Sequence, residues 1–366
     1  MRTIRIAGEE IYPLMLATVF SVGIVGGFAA KFAGLPIPML LGSVVSVGAL
    51  SIFGFKPGGH PPKVPFWLRL FFIPIIGLSI GSAFTPAVLE EVRLWWPSLL
   101  AIFVYIPLAH YVGYRGFMVT GGLSKVTAYY SAVPGGLLEC IQMGEENGAD
   151  VQMLTALQFL RLILTILLVP LAFTIVNGGA VGSAAGAAIS LPGVPFTAEE
   201  LFWHVVVGVI GFFGGRKLNL PAYLITGPIL ASGVAHLTGL LEAAPPVWLI
   251  NVTQLIIGVA LGTRFVGMVP RAFFGSLYLA FLNICFTMIL AMGAGVLMHE
   301  IVGERVEAVV LAFAPGGLAE MSLVAFSMNI SVLYVTTHHV VRIILSVAVA
   351  KAFAGTIPRG DGAAPP

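Results

Sequence analysis

The chain has 366 residues, of which 58% are hydrophobic and 9% charged, and its formal net charge is +2. Soluble domains carry about 25% charged residues. This composition, with a mean hydropathy of +1.01, therefore excludes an ordinary soluble protein and points to one that crosses a membrane repeatedly. The small net charge offers no basic surface for nucleic acid, and Cys140 and Cys285, both in apolar sequence, give neither a disulfide framework nor a metal spacing.

A basic start (Arg2, Arg5) leads into an apolar segment at 11–33. Its length of about 20 residues is that of a membrane span, and its reappearance at the head of the second half marks a retained helix rather than a cleaved signal. Apolar segments follow at 36–53, 66–83, 95–119 and 150–176, with a Pro-Gly-Gly segment at 124–146. Residues 178–198 are small and uncharged and contain Leu191-Pro192-Gly193-Val194-Pro195, a linker composition. The pattern then resumes at 200–216, 221–241, 247–265, 271–299 and 331–356, with a second Pro-Gly-Gly segment at 306–328. Trp95-Trp96, Tyr129-Tyr130 and Trp203 are expected to anchor helices at the membrane interface.

The halves share a motif. Pro134-Gly135-Gly136-Leu137-Leu138-Glu139 returns 181 residues later as Pro315-Gly316-Gly317-Leu318-Ala319-Glu320. At that offset Trp67 matches Trp248, Gly77 matches Gly258, Gly81 matches Gly262 and Arg161 matches Arg342; at an offset of 185, Gly26 matches Gly211 and Pro36 matches Pro221. The reading is an all-α polytopic membrane protein made of two repeats, 1–177 and 199–366, joined by a linker at 178–198. Each repeat has about five spans plus a broken or re-entrant Pro-Gly-Gly segment. Charge sets the relative orientation. Of the 18 basic residues, Arg69, Arg161 and Arg342 lie inside apolar segments. With the N-terminus inside, inverted five-span repeats place 12 of the others inside and 3 outside, whereas parallel six-span repeats place 9 inside and 6 outside. The excess of Lys and Arg on one side favours inversion.

Several residues within this frame suit transport chemistry. Proline lacks the backbone donor and two glycines loosen the chain, so each Pro-Gly-Gly opens backbone groups that survive in a membrane only beside protein or a water-filled cavity. Glu139 and Glu320 follow in apolar surroundings and are candidates for ion or proton coupling, with an interfacial or structural role as the alternative. Gln158 and Arg161, with Thr165, form one polar helical stripe; His339 and Arg342, with Ser346, form another. The arginines suit either anion recognition through the guanidinium fork or a structural pair with the glutamates. His338 and His339, being adjacent on a helix, diverge by about 100° and do not form a shared metal site. No cofactor is expected.

These residues, above all the duplicated Pro134-Gly135-Gly136-Leu137-x-Glu139 and Pro315-Gly316-Gly317-Leu318-x-Glu320, resemble the AbrB-type bacterial membrane protein duplication family across nearly the whole chain. Members are named as AbrB family regulators or as ammonia monooxygenases. The resemblance implies a multi-pass protein of the bacterial inner membrane with suspected transport and a link to gene expression, and it supplies no catalytic residues. Ammonia oxidation needs several metal ligands in a fixed array, which the sequence lacks, so the chain is not expected to be an enzyme. The expected function is secondary transport of a small organic solute, an anion where the arginines serve recognition, within the lipid bilayer, with indirect effects on expression. A non-transporting membrane sensor is the alternative, and a homo-oligomer is left open.

Overall fold

The computed structural model describes residues 4–6, 9–35, 37–177, 195–220, 222–328 and 330–358. Most of the expected linker, and the matched prolines Pro36 and Pro221, lie outside the described residues. The described chain is helical: α1 (Pro13–Phe32), α2 (Pro38–Ile52), α3 (Phe66–Gly81), α4 (Pro86–Glu91), α5 (Trp96–Gly121), α6 (Lys125–Ala132), α7 (Leu137–Glu146) and α8 (Val151–Asn177), then α9 (Ala198–Lys217), α10 (Tyr223–Leu237), α11 (Val247–Gly262), α12 (Pro270–Val302), α13 (Val306–Phe313), α14 (Leu318–Ser327) and α15 (Val332–Ala354). Prolines at the first turns of α1, α2 and α5 suit helix starts, where an N–H has no partner to lose. Ser124 and Thr197 cap α6 and α9 by accepting from backbone N–H groups.

Among the described residues, seven helices, α1, α5, α8, α9, α11, α12 and α15, are long and apolar enough to cross a membrane, and α2, α3 and α10 are shorter apolar helices. They fall on the segments expected from sequence. Two differences have physical causes. Helix α12 runs past the expected end at 299 because His299 and Glu300 close the apolar run without closing the helix; the stop is Gly303 at φ +72. Ahead of α1, Ile4–Ile6 pairs antiparallel with Glu9–Ile11 in a two-stranded hairpin, in register Ile4↔Ile11. Three alternating residues per strand are too short a pattern to stand out beside an apolar helix.

The chain divides into two compact units, each drawing on both halves of the sequence: residues 1–90, 170–270 and 322–333, and residues 91–169, 271–321 and 334–366. The first unit packs α1–α3 with α9–α11. Here α2 lies between α1 and α11, and α10 lies between α9 and α3. Bare backbone makes these contacts possible. A Cβ on Gly42 would collide with the Gly26 carbonyl, and one on Gly227 with the Gly211 carbonyl. On α3, Gly77 and Gly81 face Ile225, Ile229 and Ser232 of α10; on α11, Gly258 and Gly262 face Leu40, Val44 and Val47 of α2.

The second unit holds both helix breaks, between α6 and α7 and between α13 and α14. Its core corrects one expectation. Tyr129, Tyr130 and Trp95 are not interfacial anchors: they are 5%, 2% and 1% exposed. Tyr129 and Tyr130 pack with Val126 and Leu154, and Trp95 meets Tyr334 edge-on with centroids 5.3 Å apart. Trp96 stays exposed.

The glycine contacts predict a sharp contrast. Gly42→Ala forces the α1–α2 backbones apart and should cost ~1–3 kcal/mol, as overpacking does. Gly214→Ala, which has open space around the new methyl, should be neutral or gain up to ~1 kcal/mol from helix propensity. Thermal unfolding midpoints in one detergent check this; equal midpoints for the two variants would contradict the packing.

Candidate functional site

Each helix break begins with a proline that cannot donate. A helical N–H normally bonds the carbonyl four residues earlier, so Pro134 frees the carbonyl of Tyr130 and Pro315 frees that of Leu311. In an apolar core such groups need partners, and the polar stripes of α8 and α15 supply them. Gln158 Nε2 donates to the carbonyls of Tyr130 (2.8 Å), Ser131 (3.2 Å) and Val133 (3.3 Å). Arg161 donates through Nη1 to the Val133 carbonyl. In the second break His339 Nε2 donates to the Leu311 carbonyl at 2.9 Å. Arg342 Nη2 donates to the Gly316 carbonyl at 2.6 Å and to His339 Nδ1 at 2.9 Å. Because Nε2 faces an oxygen and Nδ1 faces a donor, this network fits a neutral His339 with its proton on Nε2.

The expected site residues are therefore brought together, and the arginines take a role the sequence did not specify. Arg161 caps the negative C-terminal end of α6 at its C-cap residue Val133, and Arg342 meets the break that follows α13 at Gly316, both through charge-assisted hydrogen bonds. Among the described residues, neither guanidinium is in salt-bridge range of a carboxylate. Arg161 is 5% exposed and Arg342 1%. The two lie within electrostatic reach of each other, with Tyr105 of α5 near both.

The glutamates sit on the opposite side of each break. Chain direction reverses the dipole there, and an acid in the first helical turn is favourable. Glu139 is in the first turn of α7 and exposed; Glu320 is in the first turn of α14 and 8% exposed. The Glu320 carboxylate folds back over Gly317 into the space that a side chain at 317 would need. Gly136, at φ +64, starts α7 in a left-handed conformation suited to glycine. Each break also touches the long helix of the other half: Gly135 faces Ser346 and Ile343 of α15, and Gly317 faces Leu162 of α8.

Sequence reading missed Tyr105, whose hydroxyl donates to the Thr287 carbonyl at 3.2 Å. It also missed the tie from His338 Nε2 to the Ser98 hydroxyl at 2.8 Å. Both partners lie in ordinary apolar segments, outside any stripe or repeat that would mark them. Among the described residues, no group of three or more His, Cys, Asp or Glu could hold a metal ion. In the first unit, a separate groove of about 960 Å³ runs along α3 and α9, lined by Trp67, Phe71, Leu201, Val205 and Phe212, with His204 as a polar exception. Its hydrocarbon lining gives little with which to recognise a polar solute.

A family model described as "Transition state regulatory protein AbrB" matches residues 58–357. The chain is 25% identical over 360 residues to the "Uncharacterized protein YhjN" of Bacillus subtilis strain 168, covering 91% of this chain and 90% of that protein. It is 24% identical over 296 residues to the "Putative regulator AbrB" of Escherichia coli strain K12, covering 81% of this chain and 82% of that protein.

The matched roles of Gln158 and His339 predict that the donor matters more than the ring. His339→Gln retains a donor for the Leu311 carbonyl and should shift stability by less than ~1 kcal/mol. His339→Leu and Gln158→Leu each strand buried carbonyls and should cost ~1–3 kcal/mol. Thermal midpoints of the three variants in one detergent test the capping role, and a leucine variant as stable as its parent would refute it.

Proposed function

The chain belongs to the AbrB family, and from that premise we propose that it is a secondary transporter of a small organic solute in the bacterial inner membrane. The observation that carries this reading is the pair of helix breaks in one compact unit, each met by a buried arginine. Broken helices at membrane depth expose backbone dipoles and make a site that a continuous helix cannot. A merely structural kink would not require two buried cations, each of which costs at least ~2.5 kcal/mol in a membrane.

The proposal includes an internal duplication with inverted halves. Tyr130, Pro134, Gln158 and Arg161 correspond at one offset to Leu311, Pro315, His339 and Arg342, and the freed carbonyl meets the stripe donor in both sets. The glycine contacts of the first unit correspond too: Gly77 on Ile225 answers Gly258 on Leu40, and Gly81 on Ser232 answers Gly262 on Val47. These paired contacts support duplication, and the charge distribution supports inversion. We assign Glu320 to ion coupling because it is the more deeply buried of the two motif acids. No metal-dependent oxidation enters this reading.

The family description and the name of the Escherichia coli relative favour a second reading, a membrane sensor that affects expression without moving its ligand. Purified protein in proteoliposomes separates the two. A transporter accumulates labelled solute under an imposed ion gradient, whereas a sensor binds without net uptake. Under the transport reading, Glu320→Gln keeps the side-chain shape, removes its charge, and should abolish the response of uptake to a pH gradient. Uptake by Glu320→Gln with the parent's pH profile would remove the coupling role, and absence of uptake across a broad solute panel would favour the sensor.

A further inference from the structure

The second unit buries Arg161 and Arg342, and among the described residues neither has a carboxylate in salt-bridge range. Hydrogen bonding occupies one N–H-bearing nitrogen of each guanidinium: Nη1 of Arg161 on the Val133 carbonyl, and Nη2 of Arg342 on the Gly316 carbonyl and His339. The Nε of both arginines and Nη1 of Arg342 remain buried without a partner. A guanidinium has five donors, accepts nothing and does not shed its proton in ordinary conditions. It cannot escape burial by becoming neutral, as a lysine can.

We propose that Arg161 and Arg342 together hold one small monovalent anion, a carboxylate or an inorganic ion, and that this is the charge class of the transported solute. The binding claim stands on the site alone; the word "transported" rests on the reading in the preceding subsection. Charge balance sets the valence. The C-terminal ends of α6 and α13 carry about half a negative charge each and the N-terminal ends of α7 and α14 about half a positive charge each, so the four helix ends cancel; exposed Glu139 is screened by solvent, and buried Glu320 offsets about one of the two cationic charges. About one positive charge remains, which matches a monoanion and leaves a dianion overcompensated. The nearby groups supply no further compensation. Tyr105 donates to the Thr287 carbonyl, Cys140 Sγ donates to the Gly135 carbonyl, and the network keeps His339 neutral.

Hydroxyls supply the remaining recognition. On α8, Thr165 sits one turn beyond Arg161 and donates to the Arg161 carbonyl at 2.8 Å. The corresponding Ser346, one turn beyond Arg342, is buried without a partner, and its Oγ is the atom nearest to where a Cβ on Gly135 would stand. Ser131, in the last turn of α6, also has a buried, unpartnered hydroxyl. The hydroxyls of Ser346 and Ser131 and the free guanidinium N–H groups are buried donors that a negatively charged ligand would satisfy.

The test uses full-length protein in detergent. Thermal midpoints are measured while potassium nitrate, chloride or acetate is titrated against potassium sulfate at constant ionic strength, with glycerol as a neutral control. The expected result is a saturable rise with at least one monoanion, since a ligand that binds only the folded state raises its stability, and none with sulfate or glycerol. Arg161→Lys and Arg342→Lys should weaken the apparent Kd tenfold or more, and Ser346→Ala about threefold to tenfold, the loss of one hydrogen bond. If the arginine variants do not fold, Ser346→Ala decides. The inference is overturned if no monoanion gives a saturable rise, if sulfate gives an equal one, or if Ser346→Ala binds as the parent does. Anion binding without uptake in proteoliposomes keeps the site and removes the transporter; uptake of a neutral solute without anion binding does the reverse.

Discussion

A carbonyl group with no N–H to meet it is the constraint around which the second unit is organised. Two prolines create such groups in a core that offers no bulk water, and each group left unmet would cost several kcal/mol. Gln158 of α8 and His339 of α15 meet the freed carbonyls, and Arg161 and Arg342 meet those of Val133 and Gly316 beside them. One missing donor per half accounts for Gln158 and His339 on otherwise apolar helices, and the opened chain beyond each helix end accounts for the arginines. The same prolines that open the backbone thus fix which side chains must surround it.

The two halves meet this constraint with different chemistry. The first uses an amide whose single nitrogen reaches three carbonyls; the second uses an imidazole that joins a carbonyl to the neighbouring guanidinium. The first break keeps its acid exposed, while the second folds its acid over a glycine. Thr165 closes on its own helix where Ser346 does not. The first unit diverges less in kind: its contacts are backbone against glycine, where any added atom is excluded and little else can vary.

Much of this was legible in the sequence, and the limits have physical reasons. Spans are visible because length and apolarity are local properties, and the breaks are visible because proline and glycine act on their own backbone. Gln158, Arg161, His339 and Arg342 could be placed on stripes by helical period alone. What the stripes contact could not be read. Arginine pairs equally well with a carboxylate or a helix end, and only the fold shows the carbonyls of Val133 and Gly316 within reach. Tyr129 and Tyr130 looked like interface residues because amphipathic rings suit both an interface and a packed cluster. The division into units that mix the two halves is a property of non-local contacts, which no window along the chain contains.

That mixing bears on how the protein is made. The first unit needs α9–α11 to cover α2 and α3, and the second needs α15 to cover the first break. A ribosome that has delivered the first 177 residues has delivered about half of each bundle and no finished one. Glycine-lined helix faces, and the Gly135 surface that Ser346 and Ile343 of α15 cover, must then wait until the later helices arrive. Contacts of such long sequence separation form slowly, so during synthesis the nascent chain depends on lipid, on membrane chaperones or on its own provisional pairings to shelter those surfaces.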